Sequence, residues 1–233
     1  MSGRRVLVSG ASRGIGRALV EHFITAGDVV VGCARGDSEF RHENYRHVLC
    51  DVCSDDDVKT LFRETRSFLG GLDVLINNAG TARMSPMALT PVETASRVID
   101  INFTGVFRLS SAALRLLRRS DSGRIVNLTT VAVPLRLEGE SVYAASKAAV
   151  ETLTRISAKE LGALGITCNA IGPSPIMTDL IRGVPKDKIQ ALIDQQAIKE
   201  WAQPEDVINA IEFFLSPSSR MVTGQIIYLG GVG

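Results

Sequence analysis

Arg4-Arg5-Val6-Leu7-Val8-Ser9-Gly10-Ala11-Ser12-Arg13-Gly14-Ile15-Gly16 is the stretch on which the fold of this chain turns. Its apolar start has the length of a buried strand, and Ile15, Ala18, Leu19, Phe23 and Ile24 then recur at helical spacing. A strand that passes through a glycine turn into a helix brings backbone N–H groups and a helix N-terminus to one point, where a diphosphate is held. Gly10 permits the tight turn, Gly14 allows close approach, and Gly16 lets helix and strand pack. The spacing G-x-x-x-G-x-G departs from the G-x-G-x-x-G of most dinucleotide folds, so the flanking strand and helix carry the assignment.

Strand and helix keep alternating beyond this unit. Runs of strand character lie near 28–34, 46–50, 72–77, 123–129, 166–171 and 225–229; helical patterns lie near 55–69, 92–118, 141–163, 186–196 and 204–215. Such alternation predicts a parallel sheet covered by helices on both faces. Residues 36–44 are too few for a full crossover helix, so an abbreviated one is expected there. A chain of 233 residues that is 45% hydrophobic buries a sizeable core as one α/β domain, 1–233.

Chemistry enters at Tyr143-Ala144-Ala145-Ser146-Lys147. Residues four apart on a helix share a face, so the phenol and the ammonium converge. A cation held close to a phenol favours phenolate and lowers the tyrosine pKa, which suits proton exchange with a substrate oxygen. Standing alone, the same spacing would equally describe a solvated helical face.

It does not stand alone. Asp51-Val52, Asn77-Asn78-Ala79-Gly80, Asp100-Ile101-Asn102-Phe103, Gly123-Arg124-Ile125-Val126-Asn127 with Thr129-Thr130, Asn169-Ala170-Ile171-Gly172-Pro173 with Thr178, Pro204-Glu205-Asp206-Val207 and Thr223-Gly224-Gln225 follow in order. From about Arg5 to Gly231 the chain resembles the short-chain dehydrogenases/reductases, most of all the 3-oxoacyl-acyl-carrier-protein reductases. The resemblance implies a Rossmann-type doubly wound parallel sheet of about seven strands, and a homotetramer or otherwise a dimer. It makes Tyr143 the proton donor and Lys147 the holder of the nicotinamide ribose. Thr130 stands where the family has a serine thirteen positions before the tyrosine, and Asn102 where it keeps a helix kink and a water-linked proton path. The implied cofactor contacts are Gly10, Ser12, Arg13, Gly14, Ile15 and Gly16 in the first turn, Arg35, Asp51 and Val52, Asn78, Ala79 and Gly80, and Pro173, Ile176 and Thr178, together with Tyr143 and Lys147.

NADP(H) is the expected cofactor. NAD-preferring folds end the second strand on an acid that binds the ribose 2′-hydroxyl; here Ala34 holds that place and Arg35 follows. Arg13 supplies a second guanidinium suited to a 2′-phosphate. Both arginines also read as ordinary surface charges, and Asp37 softens the preference.

Two departures from the family pattern bear on the site. Ser174-Pro175 replaces the glycine usual after Pro173, which shifts backbone contacts to Ile176, and Leu229 replaces the acid before Gly230-Gly231, away from the chemistry. Residues 174–200 are expected to form a flexible segment over the site, with Ile176, Met177, Leu180 and Ile181 suited to an acyl or otherwise hydrophobic ketone, or simply to packing. The expected substrate is a ketone, free or carried on acyl carrier protein or CoA. Arg115, Arg118 and Arg119 would offer an acidic carrier a docking patch, or merely complement a helix dipole. A cofactor-sensing regulator and a dehydrogenase of sugars or polyols are the competing readings.

A net charge of +1 without a long single-sign block argues against nucleic acid or an anionic membrane as the main partner. The apolar runs are too short to span a bilayer, and the run after Arg4-Arg5 breaks at Ser9-Gly10, so export is not expected and a cytoplasmic protein is. Cys33, Cys50, Cys53 and Cys168 do not make a disulfide framework, and Cys50-Asp51-Val52-Cys53 lacks a second ligand pair for a metal, so none is expected.

Overall fold

Seven parallel strands set the architecture: β1 (Arg5–Ser9), β2 (Val29–Ala34), β3 (Tyr45–Leu49), β4 (Val74–Asn77), β5 (Arg124–Leu128), β6 (Thr167–Gly172) and β7 (Ile226–Tyr228). Their order is β3-β2-β1-β4-β5-β6-β7 in the computed structural model, which describes residues 3–179 and 181–232. Leu180 of the expected substrate segment lies outside the described residues. Eight α-helices are found among the described residues: α1 (Gly14–Thr25), α2 (Asp55–Leu69), α3 (Val92–Ile99), α4 (Gly105–Leu117), α5 (Ala132–Leu135), α6 (Ser141–Leu161), α7 (Lys186–Ile193) and α8 (Pro204–Leu215).

Successive side chains of a strand face opposite sides, and both sides of this sheet are covered. Val6 and Val8 of β1 join Leu19 and Phe23 of α1 and Ile211 and Phe214 of α8 in one core. Leu7 between them joins Leu61 of α2, Leu109 and Leu117 of α4, and Leu161 of α6 in the other. An uninterrupted apolar run in β1 is what this two-sided burial requires. The arginine pair before it is structural: Arg4 binds Asp28 and Glu212, each at 2.7 Å, and Arg5 binds Asp73 at 2.6 Å.

The expected abbreviated helix between β2 and β3 does not form; residues 35–44 make bends and a turn. One aromatic does the covering instead. Phe40 packs against the core beside Tyr45, with ring centroids 5.3 Å apart, and under the Arg17 guanidinium at 4.6 Å. The helix expected over 92–118 is interrupted by a π-helical turn, Asp100–Thr104, between α3 and α4. A buried amide ladder fixes α6 to the sheet. Asn77 Nδ2 donates to Asn127 Oδ1 at 2.8 Å, and Asn127 Nδ2 donates to Thr154 Oγ1 at 2.8 Å.

Gly16 sits where the first helix crosses the first turn. A Cβ there would overlap the Gly10 carbonyl and stand 2.5 Å from Asn78 Nδ2, whereas one at Gly36 would meet nothing within 4 Å. Gly16→Ala should therefore lower stability by about 1–3 kcal/mol, as overpacking does, seen as a reduced urea midpoint at unchanged slope. Gly36→Ala is the control and should leave the midpoint nearly in place.

Candidate active site

The chain leaves β1 toward β2 and β3, then returns to start β4 on the other side of β1, so the loops after β1 and β4 part at the carboxyl edge of the sheet. A crevice of about 810 Å³ opens there, lined by Gly10, Ser12, Arg13, Gly14 and Ile15 after β1, Arg35 after β2, Asp51 and Val52 after β3, and Asn78, Ala79 and Gly80 after β4. It shares Ile15, Asn78, Gly80 and Thr178 with a cavity of about 370 Å³ that holds Thr130, Tyr143, Lys147, Pro173 and Ile176. Seventeen of the nineteen residues singled out from the sequence thus line one continuous space. Gly16 and Asn102 do not. Gly16 packs behind the turn, against the Gly10 carbonyl, so it shapes the crevice without facing it.

The crevice has the form of a dinucleotide cradle. Gly10 and Gly14 take φ of +70° and +56°, and a Cβ on Gly14 would meet only the Thr178 side chain, at 3.5 Å across the opening. The first turn of α1 receives no side-chain cap, so its amides remain free to bind phosphate. Arg13 donates to Asp179 at 3.0 Å, and Arg182 pairs with the same carboxylate. Arg17, which the sequence reading passed over, also lines the crevice. Its signal was present: it follows Arg13 by four residues, one helical turn. Asp37 and Glu39 line the same end, with Asp37 tied to Arg41 at 3.0 Å.

Asn102 lies at the centre of the π turn with no exposed surface. Its Oδ1 accepts from Thr81 N at 2.8 Å, and its Nδ2 donates to Thr81 O at 2.9 Å and Ser146 Oγ at 3.0 Å. The side chain is committed to protein, so it joins the loop after β4 to α6 and positions its neighbours.

Lys147 and Tyr143 rise from the first turns of α6 against the end of β5. Lys147 Nζ donates to Leu128 O at 2.7 Å. Burial pulls its pKa down to about 8 and pushes that of Tyr143 up to about 12, against a downward pull from the Thr130 hydroxyl. The expectation that Lys147 lowers the Tyr143 pKa is corrected: the ammonium is turned to a carbonyl, and desolvation of the phenol dominates. Thr130 Oγ1 accepts from Ala132 N at 3.2 Å, which leaves its own proton free to donate. Glu140, also missed, stands in the same cavity wall three residues before Tyr143, with its pKa raised by burial to about 7.

The two departures at 174 and 229 meet. Ser174 Oγ donates to Leu229 O at 2.8 Å, and Ser174 lines the cavity, so Leu229 is one hydrogen bond from the site and not remote from it. Arg115, Arg118 and Arg119 are placed otherwise than a docking patch at the pocket entrance requires. Arg115 is in the last turn of α4 and Arg118 and Arg119 follow it, and this end leads into the start of β5, so they lie at the amino edge of the sheet, opposite the crevice. Cys50 lies against Cys33, and with Cys53 it finds no cluster able to hold a metal among the described residues.

A family model described as enoyl-(acyl carrier protein) reductase matches residues 10–231. The chain belongs to the short-chain dehydrogenase/reductase family. It is 30% identical to a 3-oxoacyl-[acyl-carrier-protein] reductase of Vibrio cholerae, with 99% of this chain and 97% of that protein covered. A protein of the same name from Staphylococcus epidermidis is 32% identical, with 98% of each covered. Among solved structures, ligand-free aldohexose dehydrogenase of Thermoplasma acidophilum is 31% identical at a TM-score of 0.89, with 98% of this chain and 93% of that chain covered. As a short-chain dehydrogenase/reductase, the protein is an oxidoreductase that uses a nicotinamide cofactor. No helix among its described residues is long and apolar enough to cross a membrane.

Glu140 allows a direct check on the cavity's electrostatics. Its pKa rises from 4.5 to about 7, so the folded state binds the proton more tightly. The contribution to stability is full below pH 4.5 and is lost as pH rises through 7. Glu140→Gln removes that loss. Its melting temperature relative to wild type should shift upward between pH 5 and pH 8, by on the order of 5 °C, in paired thermal scans.

Proposed function

We propose that this protein reduces a ketone to a secondary alcohol with NADPH. The observation that carries the reading is the meeting of the Tyr143 and Thr130 hydroxyls with Lys147 in one cavity that opens into the cradle. When bound, the nicotinamide cofactor supplies the hydride. Thr130, its oxygen engaged by Ala132 N, donates to the substrate oxygen and aims the carbonyl. Tyr143, held protonated by burial, gives that oxygen its proton as charge develops on it. Lys147, anchored at Leu128 O, has N–H groups left for ribose hydroxyls. The amides of the first turn and the side chains of Arg13, Arg17 and Arg35 suit a phosphate-rich ligand. Arg13 is paired with Asp179 and Arg17 with Glu21, but Arg35 follows the end of β2 where an acid would repel a phosphate, and Asp37 beyond it is engaged by Arg41, which supports NADPH over NADH.

A 3-oxoacyl thioester, on acyl carrier protein or CoA, is the substrate class we favour. The activity for which the Vibrio and Staphylococcus relatives are named supports it, and so does the apolar wall that Ile176, Ile181, Val184, Ile189 and Leu192 give the cavity. We also infer a cytoplasmic homotetramer; Phe107 of α4 and Ile156 of α6, both exposed, are suited to such contacts.

Tyr143→Phe should lower ketone-dependent NADPH oxidation by at least about a hundredfold while leaving NADPH affinity within a few-fold. Retained turnover would remove the proton donor from the scheme. Wild type should bind NADPH more tightly than NADH in a fluorescence titration, and the double variant R13A/R35A should lose most of the difference, since each charged contact to phosphate is worth about 1.5–3 kcal/mol. Equal affinities in wild type would leave the arginines as surface charges.

A further inference from the structure

We propose that Arg83 and Lys188 bind the phosphate of the phosphopantetheine arm, the anionic group that acyl-CoA and acyl carrier protein thioesters share. The inference rests on reduction of a 3-oxoacyl thioester at Tyr143 and adds the residues that hold the carrier end of that substrate. Both side chains are exposed, and both line the cavity that holds Thr130, Tyr143 and Lys147. The other charged residues of that wall, Lys147 and Glu140, are buried. The accessible charge of the cavity is therefore wholly positive, and it comes from two elements, the loop after β4 and α7.

Neither cation is paired: among the described residues, every ion pair is made elsewhere. Lys188 lies in the first turn of α7, where the helix dipole disfavours a cation. Asp187 beside it suits the dipole but is no part of the cavity wall. Lys188 precedes Leu192 by one turn, so the two share the face turned to the cavity. Arg83 is held from both sides. Asn102 engages Thr81 N and O, and Ser85 N donates to Gly139 O at 2.8 Å, so the backbone that presents the guanidinium is fixed.

The chemistry of the substrate says what such a rim meets. The ketone carbon of a 3-oxoacyl thioester carries two arms, and the walls supplied by Ile176 and Ile181 suit the apolar one. The thioester arm leads outward. Its phosphate is its one anion and stands at the far end from the sulfur, so a carbonyl held at Tyr143 leaves the phosphate at the mouth. Arginine offers a fork for two phosphate oxygens and lysine a mobile point charge. The stems of both can cover apolar wall while their charged ends stay in water, within reach of that group. Arg115, Arg118 and Arg119 lie at the opposite edge of the sheet and do not compete for it.

The test uses the full chain, NADPH and one 3-oxoacyl group carried on pantetheine, phosphopantetheine, CoA and acyl carrier protein. Wild type should prefer phosphopantetheine to pantetheine by about tenfold or more in kcat/KM, as a hydrogen bond to a charged group implies. The double variant R83A/K188A should bring that ratio close to one, with thermal melts verifying that it is folded. No phosphate preference in wild type, or an unchanged ratio in the double variant, overturns the assignment. So does a loss confined to CoA, which puts the contact on its nucleotide, or one confined to the carrier protein, which puts it on that protein's surface. Absence of turnover on all four carriers counts against thioester reduction alone. In that event calorimetric titration with phosphopantetheine and pantetheine decides on the two cations. Tighter binding of the phosphorylated arm that the double variant loses supports the site; equal affinity, or a preference that the double variant keeps, overturns it.

Discussion

The site depends on a clamp between two loops that the sheet topology would otherwise part. Ser9 Oγ, at the end of β1, accepts from both Asn78 N and Ala79 N at 3.1 and 3.0 Å. Asn78 Nδ2 returns across the gap to donate to Ser9 O at 2.9 Å and Gly10 O at 3.1 Å. Parallel winding puts a crevice at this switch point in any sheet of this order, but does not set its width. Four hydrogen bonds set it here, and they explain why Gly10 and Gly16 carry no side chain: a Cβ on either would strike the Asn78 amide. The glycine turn is therefore shaped by its neighbour loop as much as by its own sequence.

From that clamp the order propagates along buried polar groups to the catalytic helix. Asn77, next to Asn78, reaches Asn127 in β5, and Asn127 reaches Thr154 in α6. Asn102 makes a second connection from the loop after β4 to Ser146, beside Lys147. Buried networks of this kind rigidify a core, and two of them converge on the helix that carries Tyr143 and Lys147. The π turn follows from the same demand. It sets Asn102 inside the fold, where its amide can satisfy both groups at once, and such bulges recur at functional sites.

Much of this was legible in the chain. Two-sided burial wrote continuous apolar runs into β1, β2 and β4, and the alternation of strand and helix followed from them. Seventeen candidate residues reached the common space because each lies in a loop or a helix start at the carboxyl edge, which the strand positions already indicated. What was not legible depends on contacts distant in sequence. Phe40 replaces a helix by packing under Arg17, and the Tyr143 pKa responds to burial that no local spacing reveals. The arginines after α4 looked like a patch at the entrance because sequence does not show which edge of the sheet a helix end will reach.

The departures from the family pattern are coupled, and that coupling is an argument about the active site. With Ser174 in place of glycine, a hydroxyl enters the cavity wall and must be satisfied; it finds the Leu229 carbonyl. Leu229 N in turn donates to Gly172 O at 2.9 Å, so the segment after β7 is laced to both sides of Pro173. The fit is close: a Cβ on Gly230 would stand 2.5 Å from Ser174 Oγ and overlap the Gln196 amide. Pro175 contributes in the same direction, because its fixed φ and missing N–H leave only its carbonyl, which accepts from Ala202 N at 3.1 Å. The floor beneath Ile176 and Thr178 is thus tied to the C-terminal segment and to the approach to α8. A change at Leu229 or Gly230 would be felt at Thr178, and through it at the mouth of the cradle opposite Gly14.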